Sequence, residues 1–257
     1  MNAQVNARAL YTIVRKEVLR FLRIWPQTLV PPAITTTLYL LIFGKMIGDR
    51  IGPIAGLSYV DYIMPGVILM AIISNAYANV VSSFYGSKFQ HYIEELMIAP
   101  IPAWVILVGY MVGGIARGLA VGLVVSAVGM IFTDLHVQHL PVVLAIATLT
   151  AMLFALGGFI NAIYANSFDD ISIIPTFVLT PLTYLGGIFY SIDMLPPFWR
   201  EASLFNPILY MINAFRYGFL GVADIGLGTA FAIITGFTAL LFVFSLYLLK
   251  RGVGIRS

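Results

Sequence analysis

Apolar residues run through this chain in long blocks, interrupted by short charged breaks, and the spacing of those breaks predicts its elements. A helix that crosses a bilayer needs about 20 mostly apolar residues in a row. Stretches without Asp, Glu, Lys or Arg cover 24–44, 62–87, 96–116, 118–133, 135–168, 171–192, 202–215 and 225–249. Arg117 alone divides the third from the fourth, and between Pro102 and Thr133 they read as one helix carrying a buried arginine. The stretch 202–215 is too short to cross and follows Pro196-Pro197, so it reads as a re-entrant or interfacial hairpin. Six spans remain, near 26–47, 60–84, 103–132, 140–164, 171–190 and 227–249. An even number places both termini on one side.

Basic residues at span ends are retained in the cytoplasm. With the termini inside, the inner segments hold Arg8, Arg15, Lys16, Arg20, Arg23, Lys88, Lys250, Arg251 and Arg256, nine in all, against four outside: Lys45, Arg50, Arg200 and Arg216. Both termini are therefore expected in the cytoplasm. The basic start of the chain shows no short apolar region with a small-residue cleavage site, so the first span is expected to stay in the membrane.

Between the spans, residues 7–23 repeat at helical spacing. Leu10, Ile13, Val14, Val18 and Phe21 share one face, with Arg8, Thr12, Arg15, Lys16, Arg20 and Arg23 opposite. Such a helix is expected to lie on a membrane surface, apolar side in the acyl boundary and basic side on anionic headgroups, either as an anchor or as a docking element. Glu17 interrupts its apolar arc and Leu19 its polar one. After the second span, Phe89, Tyr92, Ile93 and Leu96 form one side of a short rod and Lys88, His91, Glu94 and Glu95 the other, stopped by Pro100 and Pro102. A rod held at both ends can pass a push from a cytoplasmic protein into the membrane; a plain surface helix has the same pattern. Asp169 and Asp170 stand at the mouth of the fifth span, which contains Pro175, Pro181 and Gly186-Gly187. Backbone groups freed by proline there need partners within the protein.

Composition sharpens the class. The chain has 257 residues, 60% of them hydrophobic and 10% charged, with mean hydropathy +0.96, against about 25% charged in ordinary soluble domains. Disorder is excluded, and the composition argues against nucleic-acid binding. No cysteine is present, so there is neither a disulfide nor a thiolate metal site.

Three segments carry a resemblance: EELMIAPIP at Glu94 to Pro102, PTFVLTPLTYLGGIFYSIDMLPPFW at Pro175 to Trp199, and FNPILYMINAFRYGFLG at Phe205 to Gly221. In this order, on a six-span map, the chain resembles the permease subunit of type 2 ABC exporters, closest to its YadH-like bacterial inner-membrane branch. The resemblance implies one all-α polytopic transmembrane domain over 1–257. It has an N-terminal connecting helix at 7–23, a coupling helix at 88–99 that docks on an ATPase, and an outer re-entrant segment at 191–222 capping the translocation path. Lys88, His91, Glu94, Glu95, Leu96, Ala99 and Pro100 are the coupling residues it implies, and Pro196, Pro197, Phe198, Trp199, Asn206, Pro207 and Arg216 fall in the outer segment. The implied partners are two copies of a separate nucleotide-binding subunit and a second copy of the chain, among membrane lipids. ATP and Mg belong to the partner, with no cofactor here.

A one-chain pump would need a G-x-x-x-x-G-K-[ST] cradle. At the Gly44-Lys45 pair, Tyr39 stands where the first glycine belongs and Met46 where Ser or Thr belongs. Energy comes from a partner, or the transport is not driven by ATP: an ATP-independent channel or carrier and a non-transporting scaffold are the rival readings. His136 and His139 supply two metal ligands without a third, no G-x-S-x-G elbow occurs, and no metal or catalytic site is assigned.

At membrane depth, Arg117 costs roughly 2.5–3.5 kcal/mol on insertion scales. A structural ion pair and a contact with an anionic headgroup both fit it. Gly114, Gly118 and Gly122 recur every four residues, the small-residue pattern that lets helices approach closely. Asn75 and Asn79, one turn apart, line a polar path or bond between helices. With Arg117, Phe177, Thr180 and Tyr184 they are the candidate path residues.

Overall fold

The computed structural model describes residues 3–54, 56–134 and 136–254, and every regular element among them is helical. The first is α1 (Ala3–Arg23), followed after a bend at Ile24 by α2 (Trp25–Tyr39), which continues through a π-helical turn (Leu40–Ile47) into α3 (Gly48–Ile51). Pro31 and Pro32 lie inside α2. The hydroxyl of Thr28, with one proton to donate, lies at the bend within 3.3–3.4 Å of the carbonyl oxygens of Phe21, Ile24 and Trp25.

The centre of the molecule is α4 (Tyr59–Phe89), started by Ser58, whose side chain accepts from the Asp61 N–H. It is buried along most of its length, against α6 (Ala103–Phe132) and α7 (Leu140–Tyr164). Close approach of α4 and α6 depends on the glycine ridge. A Cβ on Gly114 would sit 2.6 Å from Val80, one on Gly118 3.0 Å from Ala76, and one on Gly122 2.8 Å from Ile72. The ridge thus performs the packing expected of it. Across α7, Gly158 presses on the backbone of Tyr77, where a Cβ would stand 2.6 Å from the carbonyl oxygen.

The α1 helix departs from its surface reading. Its Ile13, Glu17 and Phe21 are buried, and it runs alongside the first half of α6, with Ile13 over Gly109 and Glu17 over Gly113. Protein rather than lipid covers its inner stripe, because two further glycines on α6 leave a groove for it.

The fifth apolar stretch is not one long helix. It consists of α8 (Asp170–Ile174), a π turn (Pro175–Leu179) and α9 (Thr180–Tyr184). Pro175 and Pro181 lack N–H groups, and the turn between them widens so that the Thr180 N–H and hydroxyl both reach the Pro175 carbonyl. The helix stops at Tyr184 instead of 190 because Gly187 adopts φ +78°. At about 1.5 Å per residue its 15 residues span about 22 Å, short of the roughly 30 Å hydrocarbon core. Among the described residues five helices are long and apolar enough to cross a membrane: Trp25–Gly44, Tyr59–Phe89, Ala103–Phe132, Leu140–Tyr164 and Leu227–Arg251, the last being α12.

Between α9 and α12 lie a 3₁₀ turn (Ile192–Met194), α10 (Pro197–Leu204) and α11 (Pro207–Leu220). Asn206, at the corner between α10 and α11, caps α11 by accepting from the Ile208 N–H and donates to the Leu182 carbonyl. At the far end of α11 the backbone of Gly218 and Phe219 accepts from His139 and Gln138, just before α7. Most of α11 is buried, whereas Phe198, Trp199 and Phe205 are exposed.

Candidate functional site

The candidate residues fall into several regions. The first is α5 (Tyr92–Ile98), between α4 and α6. His91 holds the left-handed conformation (φ +60°) that turns the chain out of α4, and its Nδ1 lies 2.8 Å from Glu94 Oε1. Ile93 is buried, and Leu96 and Met97 pack on the core. Phe89 and Tyr92, expected on that covered side, are exposed instead; Phe89 rests on Phe168 at 5.2 Å between ring centroids. Glu95 and Pro100 are exposed, Ala99 is half-buried, and Ile98 is 85% exposed at the tip. Lys88 points inward: its Nζ donates at 2.7 Å to the carbonyls of Ile163 and Ala165, closing the C-terminal end of α7. It caps that helix end. Nearby, the Asp170 carboxyl is held below the usual carboxylate range by the Asn166 N–H and the Ser167 hydroxyl, which bind the loop to α8.

The second region is a polar seam between α1, α4 and α6. Glu17 is fully buried; its Oε1 accepts from the Ser83 hydroxyl at 2.8 Å and lies 3.5 Å from Lys16 Nζ, while Oε2 lies 3.5 Å from Arg20 Nε. Arg20 Nη2 donates at 2.8 Å to both the carbonyl and the Oδ1 of Asn79. Tyr110 and Ser87 continue the seam with a 2.9 Å hydroxyl bond. Asn79 is fully buried and joins α4 to α1 through Arg20. Glu17 was legible only as a flaw in an apolar arc; a carboxylate on a greasy face was the signal of a buried partner. Glu17→Ala should lower stability by about 1–3 kcal/mol by leaving Arg20 and Ser83 uncompensated. Thermal unfolding of the detergent-solubilised protein checks this, with an unchanged midpoint as the contrary result.

Beside the seam, two cavities flank α4. One, about 310 Å³, lies between α2 and α4 and is lined by Thr35, Thr36, Tyr39, Ser74, Asn75 and Arg117 among others. The other, about 360 Å³, lies between α4 and the α8–α9 segment, with Thr180, Thr183 and Tyr184 on its wall. Met70 and Ser74 line both. Across them the hydroxyls of Tyr39 and Tyr184 meet at 2.8 Å, and both rings stand about 6 Å from Phe189. Asn75 and Arg117 thus fall on the first cavity and Thr180 and Tyr184 on the second, whereas Phe177 is exposed.

Arg216, in the segment expected at the outer face, is 1% exposed. It donates to the Gly187 carbonyl at 2.6 Å and lies 4.0 Å from the centroid of the Tyr62 ring. Asp224, close to it in the fold, accepts from the Ser191 hydroxyl at its carboxylate and donates its backbone N–H to Asn213 Oδ1.

A bundle of apolar helices with a short rod projecting from one end and a polar groove along its central helix is the architecture of a polytopic membrane protein. Residues 8–220 match the family model described as ABC-2 type transporter, and the chain belongs to that family. It is 54% identical over 249 residues to the inner membrane transport permease YadH of Escherichia coli K12, covering 97% of each chain. It is 23% identical over 215 residues to nodulation protein J of Rhizobium leguminosarum bv. viciae, covering 83% of each.

Proposed function

We propose that this chain is the permease subunit of an ABC exporter in a bacterial inner membrane, working as a pair with two copies of a separate ATPase. Family membership and the relative named as an inner membrane transport permease support this reading. The observation that carries it is α5, a rod tied to α4 through Gln90-His91 and to α6 through residues 99–102, whose apolar tip residue Ile98 stays 85% exposed among the described residues. Closure of the ATPase dimer would move α5 through contacts that differ between its two states, and α4 and α6 would rock with it. In this reading α8–α9, extended by the non-helical residues 185–190, makes a sixth crossing, both termini are cytoplasmic, α10–α11 caps the outer end of the path, and the cargo is lipid-like, glycan or drug-like. The groove beside α4 is that path, and Glu95 lies at the contact with the ATPase.

Inverted vesicles containing the chain and its co-purified Walker-motif ATPase should take up cargo from one of these classes only when ATP is supplied. Uptake by the chain alone, without ATP, would replace the pump with a channel or carrier; no uptake in the complete complex would leave a scaffold.

A further inference from the structure

The cavity between α2 and α4 is unlike an ordinary packing gap because of the charge at its wall. Arg117 Nη2 donates to Asn75 Oδ1 at 3.1 Å, while its Nε is buried with no hydrogen-bond partner. None of the ion pairs among the described residues includes it. One turn away along α4, Arg20 binds Asn79. Lys16, Arg20 and Arg117 therefore stand along one seam with Glu17 as its carboxylate, leaving the seam net positive. A guanidinium with open donors in a partly desolvated site is suited to a planar or tetrahedral oxyanion. The rest of the wall divides by chemistry: hydroxyls of Thr35, Tyr39 and Ser74, and hydrocarbon from Pro31, Val67 and Met70. Met70 and Ser74 also line the neighbouring cavity along α8–α9. A free inorganic anion would use the first feature and waste the second.

We infer that this cavity seats an anionic amphiphile, its phosphate- or carboxylate-type head against Arg117 and its chain along the Val67–Met70 wall of α4. The inference rests on the permease reading and narrows the cargo class of that path. The head could belong to a membrane lipid or to a single-chain cargo, and the chemistry at Arg117 is the same.

The test is binding to the full chain in nanodiscs of zwitterionic lipid, without nucleotide, so that loss of ATP-driven transport would leave it standing. Dodecyl phosphate should bind at least about tenfold more tightly than dodecyl maltoside, and millimolar inorganic phosphate should not displace it. Arg117→Gln should weaken dodecyl phosphate about tenfold or more and leave dodecyl maltoside unchanged, with Arg117→Lys between. Ala71→Leu, which fills the cavity without touching Arg117, should abolish binding of dodecyl phosphate and decides the matter if Arg117→Gln fails to insert. Competition from phosphatidylglycerol in the disc assigns the site to a membrane lipid, and its absence to a cargo; both keep the anionic head on Arg117. Equal affinity for the charged and neutral amphiphiles, displacement by inorganic phosphate, or full binding by Ala71→Leu overturns the inference.

Discussion

Arg216→Ala is expected to destabilise the protein by about 3 kcal/mol, the largest structural effect of any single substitution considered. The side chain is 1% exposed, so the change opens a cavity where a long side chain lay between α4, α11 and the Gly187 turn. It also strands the Gly187 carbonyl, a bond from a charged donor worth about 1.5–3 kcal/mol, and removes a desolvated cation–π contact of about 2 kcal/mol. Release of the arginine's own desolvation cost offsets part of the sum. Thermal unfolding in detergent measures the loss. A Tyr62→Leu variant and the double variant complete a cycle, and strict additivity of the two changes would show that ring and guanidinium do not act together.

Ile98→Asp should do the reverse, sparing the fold and removing the activity. Ile98 is 85% exposed at the tip of α5 and touches little of its own chain, so the melting temperature and membrane insertion should stay at the wild-type values. An aspartate placed in the apolar centre of a docked interface costs about 2 kcal/mol or more, roughly a 30-fold loss in affinity for the ATPase. Uptake driven by ATP should fall accordingly, and co-purification should show the partner lost. A variant that retains both would move the docking surface away from α5. Glu95→Arg, on the exposed side of the same rod, should uncouple hydrolysis from transport while assembly persists, since it alters charge at the rim and not the apolar contact.

Most of the architecture was legible because each crossing helix carries its own signal: a long apolar run can satisfy its backbone only as a helix in lipid. The runs around α4, α6, α7 and α12 are of that kind, and the spacing of Gly114, Gly118 and Gly122 announced close packing. The fifth run misled because hydropathy counts side chains and is blind to a backbone that turns at Gly187. Residues 7–23 misled because an apolar stripe has the same periodicity whether lipid or α6 covers it. Arg117 was legible as an anomaly, whereas its cavity was not, since the wall is drawn from α2, α4 and α6 together. Lys88 counted as a surface charge until the end of α7 proved to lie within its reach.

The amino-acid order alone determined that this is an all-helical chain of membrane-crossing length, with a rod between its second and third long helices and one charge stranded at mid-span. Those features depend on neighbours along the chain, whose periodicity and charge are local properties. Only the tertiary structure decided which polar groups are partnered and which are left open: Glu17 with Ser83, Arg20 with Asn79, Arg216 with Gly187 and Tyr62, Arg117 with Asn75 and a cavity. Pairing of that kind joins residues tens of positions apart, set by where close-packed helices happen to face one another, and no periodicity in the sequence encodes it.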